Sequence, residues 1–127
     1  MNPDGATLWY IPDGYLAKAA DDDPVYKNHE SICVLNVTQH EAHLLLDFYF
    51  ADRDPIENVP VTVPAKRCHH VRMDKPDQIG GVAIPFDTPY GARIRSDVPV
   101  VVQYSRLYST THNITLMTTM AYPAAGT

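Results

Sequence analysis

The chain of 127 residues is one domain's worth, long enough to bury roughly two-thirds of its unfolded surface in a core. A composition of 45% hydrophobic and 20% charged residues excludes a wholly disordered chain. The formal charge of −5 disfavours a nucleic-acid partner, because binders of that polyanion carry a basic stripe that displaces counterions. The densest basic segment is Lys66, Arg67 and Arg72, with His69 and His70 between them. It suits one phosphate or carboxylate and is thin for a duplex. No stretch approaches the length of a membrane span, and the first residues lack the basic and apolar regions of a signal peptide. The reading is a cytoplasmic protein, with Cys33 and Cys68 as reduced thiols, packed rather than bridged.

Eleven prolines and six glycines cut the chain into short pieces, and the hydrophobic period within those pieces is two. Residues 7–11 are β-rich and stop at Pro12, Asp13 and Gly14. A long connection carrying Asp21, Asp22, Asp23 and Pro24 leads to residues 31–37, whose nearly continuous apolar run suggests a strand covered on both faces. In residues 42–50, Leu44, Leu46, Phe48 and Phe50 share one face and His43, Asp47 and Tyr49 the other, which a helix would scatter. Residues 59–63 are bounded by Pro60 and Pro64, so they suit a sheet edge where a missing N–H is tolerated. Residues 65–72 follow at once. A second long connection, residues 73–89 with Gly80 and Gly81, is a candidate functional loop. Residues 98–107 are the most β-prone segment, and a last strand over 115–122 ends before a flexible tail, residues 123–127. Seven or eight strands, with no amphipathic helix, predict an all-β fold: a single antiparallel β-sandwich domain over residues 1–127.

No assembled chemistry can be read in the residues. Cys68 and His70 fall on one strand face and could be two zinc ligands, with His29, Glu30 or His43 supplying others. No Cys-x-x-Cys or His-Glu-x-x-His spacing supports a metal, and polar surface residues are the simpler reading. No serine sits in a nucleophile elbow, and Cys68 points away from its neighbour His69. Asp52, Arg53, Asp54 and Pro55 read as a charged turn. No glycine-rich loop precedes a helix, so no nucleotide cradle is present. The expectation is a protein that is not an enzyme and needs no cofactor. What remains is a polar set flanking the apolar strands: His29, Glu30, Asp52, Arg53, Arg67, His70, Arg72, Asp87 and Arg106, with Trp9 as the sole tryptophan. These residues either make loop caps and surface ion pairs or form a shallow site for a sugar or small anion.

At these residues the chain resembles the sensory rhodopsin transducer family. The matching stretches, in order, are Trp9, Gly14 and Tyr15; His29 and Glu30 with residues 33–36; residues 48–55; residues 62–67; and residues 70–72. Residues 84–88, residues 96–103, Arg106 and Leu107, and Ala121 and Tyr122 complete the series. The resemblance implies a sandwich like jelly rolls and carbohydrate-binding modules, about eight strands in all, assembled as a homotetramer. It implies signalling by binding a small polar ligand, its recurrent polar positions carrying over to His29, Glu30, Arg53, Arg67, His70, Arg72, Asp87 and Arg106; Trp9 joins that set on its ring alone, as a stacking surface. The alternative it carries is docking on a membrane retinal photoreceptor; a DNA-binding role, also carried by the family, conflicts with the acidic balance. One departure is local: the family's Arg-Leu-Asp-Ser reads Arg106, Leu107, Tyr108 and Ser109 here.

Overall fold

A computed structural model describes residues 4–18, 27–110 and 113–124. Among them are β1 (Ala6–Tyr15), β2 (His29–Asn36), β3 (Ala42–Phe50), β4 (Ile56–Val63), β5 (Arg67–Arg72), β6 (Pro89–Ser109), β7 (Ile114–Met120) and β8 (Tyr122–Pro123). One turn of 3-10 helix, Pro76–Gln78, lies between β5 and β6. Every strand pairing is antiparallel. Sheet A runs β4-β3-β6-β1-β8, and sheet B runs β5-β2-β6-β7.

The 21-residue β6 belongs to both sheets. Its first half pairs with β1 and β3, and from Val101 onward it pairs with β2. The handover falls around Pro99, whose missing N–H interrupts a ladder. The two inner faces form one core. Trp9, Ile11, Leu44, Leu46, Phe48, Val61, Tyr90 and Ile94 come from sheet A, and Ile32, Val34, Val71, Val102 and Tyr104 from sheet B. The all-β sandwich expected from the period-two pattern is the observed architecture.

Several boundaries differ from the expectation, each for a local reason. β1 continues through Pro12 by a bulge between Ile11 and Gly14. Gly14 is required there, since a Cβ would lie 2.3 Å from the Tyr90 ring. β6 begins nine residues before the expected position 98, because outward Arg93 and Arg95 mask the alternation of buried Tyr90, Ala92 and Ile94. The expected strand 115–122 is two strands: Ala121 is buried between β7 in sheet B and β8 in sheet A. Residues 31–37 are covered on one face only, with Leu35 and Val37 exposed. Cys33 and Cys68 are free thiols, and Cys68 is exposed rather than packed because β5 is an edge strand. β4 is the other edge expected from its prolines.

The connection after β5 is packed down: Met73, Ile79 and Ile84 are buried and close one end of the sandwich. Of the expected tail, Pro123 pairs with Trp9 and the Ala124 N–H donates to the Leu8 carbonyl at 3.0 Å. Residues 125–127 lie outside the described residues, as do Asp21, Asp22, Asp23 and Pro24. Among the described residues no helix is long and apolar enough to cross a membrane.

Candidate functional site

The structure joins Glu30 and Arg106 from the sequence-derived set. Glu30 sits in β2 with 1% of its surface exposed, opposite Arg106 in the β2–β6 register. Its Oε2 accepts from the Tyr15 backbone N–H at 2.7 Å, from the Arg106 Nε at 3.0 Å and from the Tyr104 hydroxyl. Its Oε1 accepts from the Tyr90 hydroxyl at 2.6 Å. Arg106 also lies over the Tyr104 ring and donates Nη2 to the Asp13 carbonyl at 3.3 Å. Burial, together with the Glu30 carboxylate, pushes both phenols well up, so they stay protonated donors. A buried carboxylate surrounded by donors is satisfied, and here it ties the ends of β1, β2 and β6 together.

Arg72 makes a two-pronged pair with Asp74, Nε to Oδ1 at 2.7 Å and Nη2 to Oδ2 at 2.8 Å. Burial pulls the Asp74 carboxyl up, but Arg72, with help from His29, outweighs it and holds the group below its ordinary range. The His29 ring nitrogen Nδ1 itself lies 2.8 Å from the Lys27 carbonyl.

The other expected residues stand apart. Trp9 is 5% exposed, and its indole N–H donates to the carbonyls of Ala6 and Val100 at 3.0 and 3.1 Å. It is a core residue here, with no open ring face for stacking. Arg53 lies on the surface against Asp52 and the Phe50 ring. Arg67 caps the Lys66 carbonyl at 3.0 Å. His70 is exposed opposite Cys33 on the outer face of sheet B. Asp87, at φ 54°, accepts from the Lys18 N–H at 3.1 Å and clamps two loops together. Among the described residues, no three His, Cys, Asp or Glu side chains are placed to hold a metal ion.

Sequence reasoning did not select a second polar centre, on the outer face of sheet A. Asp47 has a completely covered side chain. It accepts from Arg93 Nε at 2.9 Å, from Arg95 Nε and Nη2 at 3.2 and 3.0 Å, and from the Asn58 N–H at 2.8 Å. A bulge in β4 opposite Asp47, with Asn58 at φ 61°, aims that N–H. Burial pulls the Asp47 carboxyl up, but these four donors' groups hold it below the usual carboxylate range. Tyr10 pairs with Arg93 across the strands, and the Arg93 guanidinium lies over Tyr49. The available signal was Asp47 facing away from the core in an otherwise apolar strand. Beside this centre runs a cleft of about 460 Å³, lined by Leu45, Pro60, Thr62, Arg95, His43 and Asp97.

The outer face of sheet B is different in kind. All seven residues of β7 are exposed and none is charged. Ile114, Leu116 and Met120 are the apolar residues that the register turns to this outer face, with Leu116 73% exposed.

The family described as Anabaena sensory rhodopsin transducer matches residues 4–123. The crystal structure of Thermotoga maritima 1070 is similar at a TM-score of 0.86 and 35% identity, with 100% of each chain covered. The Anabaena sensory rhodopsin transducer is similar at a TM-score of 0.71 and 38% identity, over 83% of this chain and 90% of that one. No curated protein matches the chain. Fold, coverage and family agree with the series of residues that carried the resemblance, and the chain belongs to the Anabaena sensory rhodopsin transducer family.

Proposed function

We propose that the chain is a transducer-like signalling module that works by binding rather than covalent chemistry, as a cytoplasmic homotetramer responsive to a small polar ligand. The observation that carries this reading is the uncharged, exposed β7 and the sheet face it continues. Toward the centre of sheet B that face holds Cys33, Leu35, Val101, Gln103 and Ser105, again without charge. Covering a single exposed Leu, Ile or Met gains about 1.5–3 kcal/mol. An apolar edge strand without lysine or proline is a template for another chain. A second copy supplies the same surface under a two-fold axis, and a second contact of this kind completes a tetramer. The Glu30 and Asp47 clusters brace both sheets, which suits rigid surfaces that relay contact.

For the ligand, the reading rests on His29, His70 and Arg72, which the strand register turns to the outer side of sheet B, with Arg67 at the start of its edge strand β5. A thermal-shift screen of sugars, nucleosides and small acids tests this, because binding only the folded form raises Tm. A ligand that raises Tm is expected; a screen in which every compound leaves Tm unchanged would count against ligand sensing. A second reading is docking on a membrane photoreceptor, favoured by the uncharged surface around β7 and by the partner that the Anabaena relative's name implies. A retinal-binding seven-helix protein encoded beside this chain would support it. Co-sedimentation with membranes holding that protein, lost in Leu116→Asp, is the matching biochemical result.

A further inference from the structure

Resting on the ligand-responsive reading above, we infer that the cleft on the outer face of sheet A binds a small organic acid, its carboxylate at Arg95 and its ring or aliphatic body on Leu45 and Pro60. The cleft of about 460 Å³ has the size of a small-molecule site. Its floor is apolar: Leu45 is 36% exposed and Pro60 is its cross-strand neighbour, also exposed. Arg95 pairs with Leu45 from the opposite side, which places the guanidinium at the head of that floor.

The guanidinium is fixed before any ligand arrives. Nε and Nη2 are committed to Asp47, and Nη2 also reaches the Asn58 Oδ1 at 2.8 Å. Nη1 makes no hydrogen bond among the described residues, and the Arg95 side chain is 37% exposed. A buried carboxylate that holds one edge of an arginine and leaves the other outward is a pre-organised acid receptor. The second guanidinium on Asp47, Arg93, leaves the three-residue centre with a net positive charge.

The far end of the cleft has the opposite character. Asp97 accepts from the His43 N–H and from its Nδ1, at 2.8 and 2.7 Å, and Glu41 engages Nε2 at 2.9 Å. Two carboxylates around one imidazolium favour a hydrogen-bond donor on the ligand there. Asp97 lies two residues beyond Arg95 on one strand, so the two ends are about 7 Å apart. A monocyclic acid with a polar group opposite its carboxylate spans that distance. A flat sheet from a second copy would bridge the concavity and strand the outward Arg95 edge without water.

The test uses four probes on the full chain: phenylacetate, glucuronate, phenylacetamide and glucose, read by thermal shift and isothermal titration. At least one acid is expected to bind and to raise Tm by several degrees when present at about a hundredfold over its Kd. Its neutral counterpart is expected not to bind. Which acid binds separates an aromatic ligand from an acidic sugar. Arg95→Gln should raise Kd at least about tenfold, and Thr62→Trp, an exposed change that fills the cleft without touching Asp47, should abolish binding. Equal binding of acid and neutral probes overturns the inference, as does binding unaffected by Thr62→Trp; both leave ligand sensing elsewhere on the molecule intact. Failure of all four probes overturns it too, while the wider screen separately decides whether any ligand is sensed. A Thr62→Trp chain whose solution mass falls would mark the cleft as a contact between copies and likewise overturn it.

Discussion

Replacing Glu30 tests whether the buried cluster at the sheet ends is a structural staple. The carboxylate is 1% exposed and receives donors from Tyr15, Tyr90, Tyr104 and Arg106. Glu30→Gln keeps the shape. The amide oxygen can replace Oε2, which takes three of the four donors, and the amide N–H can donate to Tyr90 once that hydroxyl turns. What is lost is charge on the bond to Arg106 and on the phenol bonds. Hydrogen bonds to a charged group are worth about 1.5–3 kcal/mol against about 1 for neutral ones, so the expected loss is about 2–3 kcal/mol. Glu30→Ala strands two buried phenols and a guanidinium that is 24% exposed, and breaking a buried pair of this kind costs about 3–5 kcal/mol. In a domain of this size that corresponds to a fall in Tm of roughly 12–20 °C. Urea unfolding followed by the fluorescence of Trp9 measures both variants. A Glu30→Ala loss below about 1 kcal/mol, or equal losses for Ala and Gln, would refute the reasoning.

The same cluster sets an alkaline limit. Both phenols titrate higher in the folded protein than in the unfolded chain, so their contribution is complete below about pH 10 and is lost as pH rises beyond it. Phenolate absorbance from Tyr90 and Tyr104 is expected to appear together with unfolding, not before it. Asp47 runs the other way: its folded value is depressed, so its contribution is present above about pH 4 and lost as pH falls below it. Asp47→Asn should flatten the acid limb of the stability profile and cost about 2–3 kcal/mol at neutral pH, measured by urea titration at several pH values. Trp9→Phe keeps the ring in the core but leaves the Ala6 and Val100 carbonyls without their donor, with an expected cost of about 1–3 kcal/mol. Asn36 is fully buried and spans the turn after β2, donating to the carbonyls of His40, Val63 and Pro64 and accepting from Thr38. Asn36→Ala should lower stability by about 2–4 kcal/mol, more than any change to exposed Arg53 or Arg67.

Alternation alone made most of the strands legible. In β3, Leu44, Leu46 and Phe48 could face only a core, and the prolines of β4 could be tolerated only at an edge. The first half of β6 was hidden because its outward residues are arginines that interrupt the hydrophobic run while the inward residues keep the period. The division of the 115–122 segment between two sheets was also hidden, since one buried alanine carries the crossing. Burial of polar groups is a tertiary property, and this is where residue reading stopped short. Glu30 and Arg106 were named within a larger ligand-binding set, yet only the fold reveals that Arg106, two tyrosines and a backbone N–H already saturate that carboxylate. Trp9 was named for its ring, but whether a tryptophan packs or stacks depends on which sheet face it occupies. Asp47 and its two arginines come from strands about fifty residues apart in sequence, and nothing local links them.

The central claim is that uncharged sheet surface around β7 is covered by other copies of the chain. Light scattering coupled to size exclusion tests it directly, on the wild type and on Leu116→Asp combined with Met120→Asp. The wild type is expected at four times the 14.2 kDa chain mass, and the double variant, with folding checked by circular dichroism, at lower mass. A wild-type protein that remains at the mass of one chain across the micromolar range, or a double variant that keeps the wild-type mass, would contradict the claim.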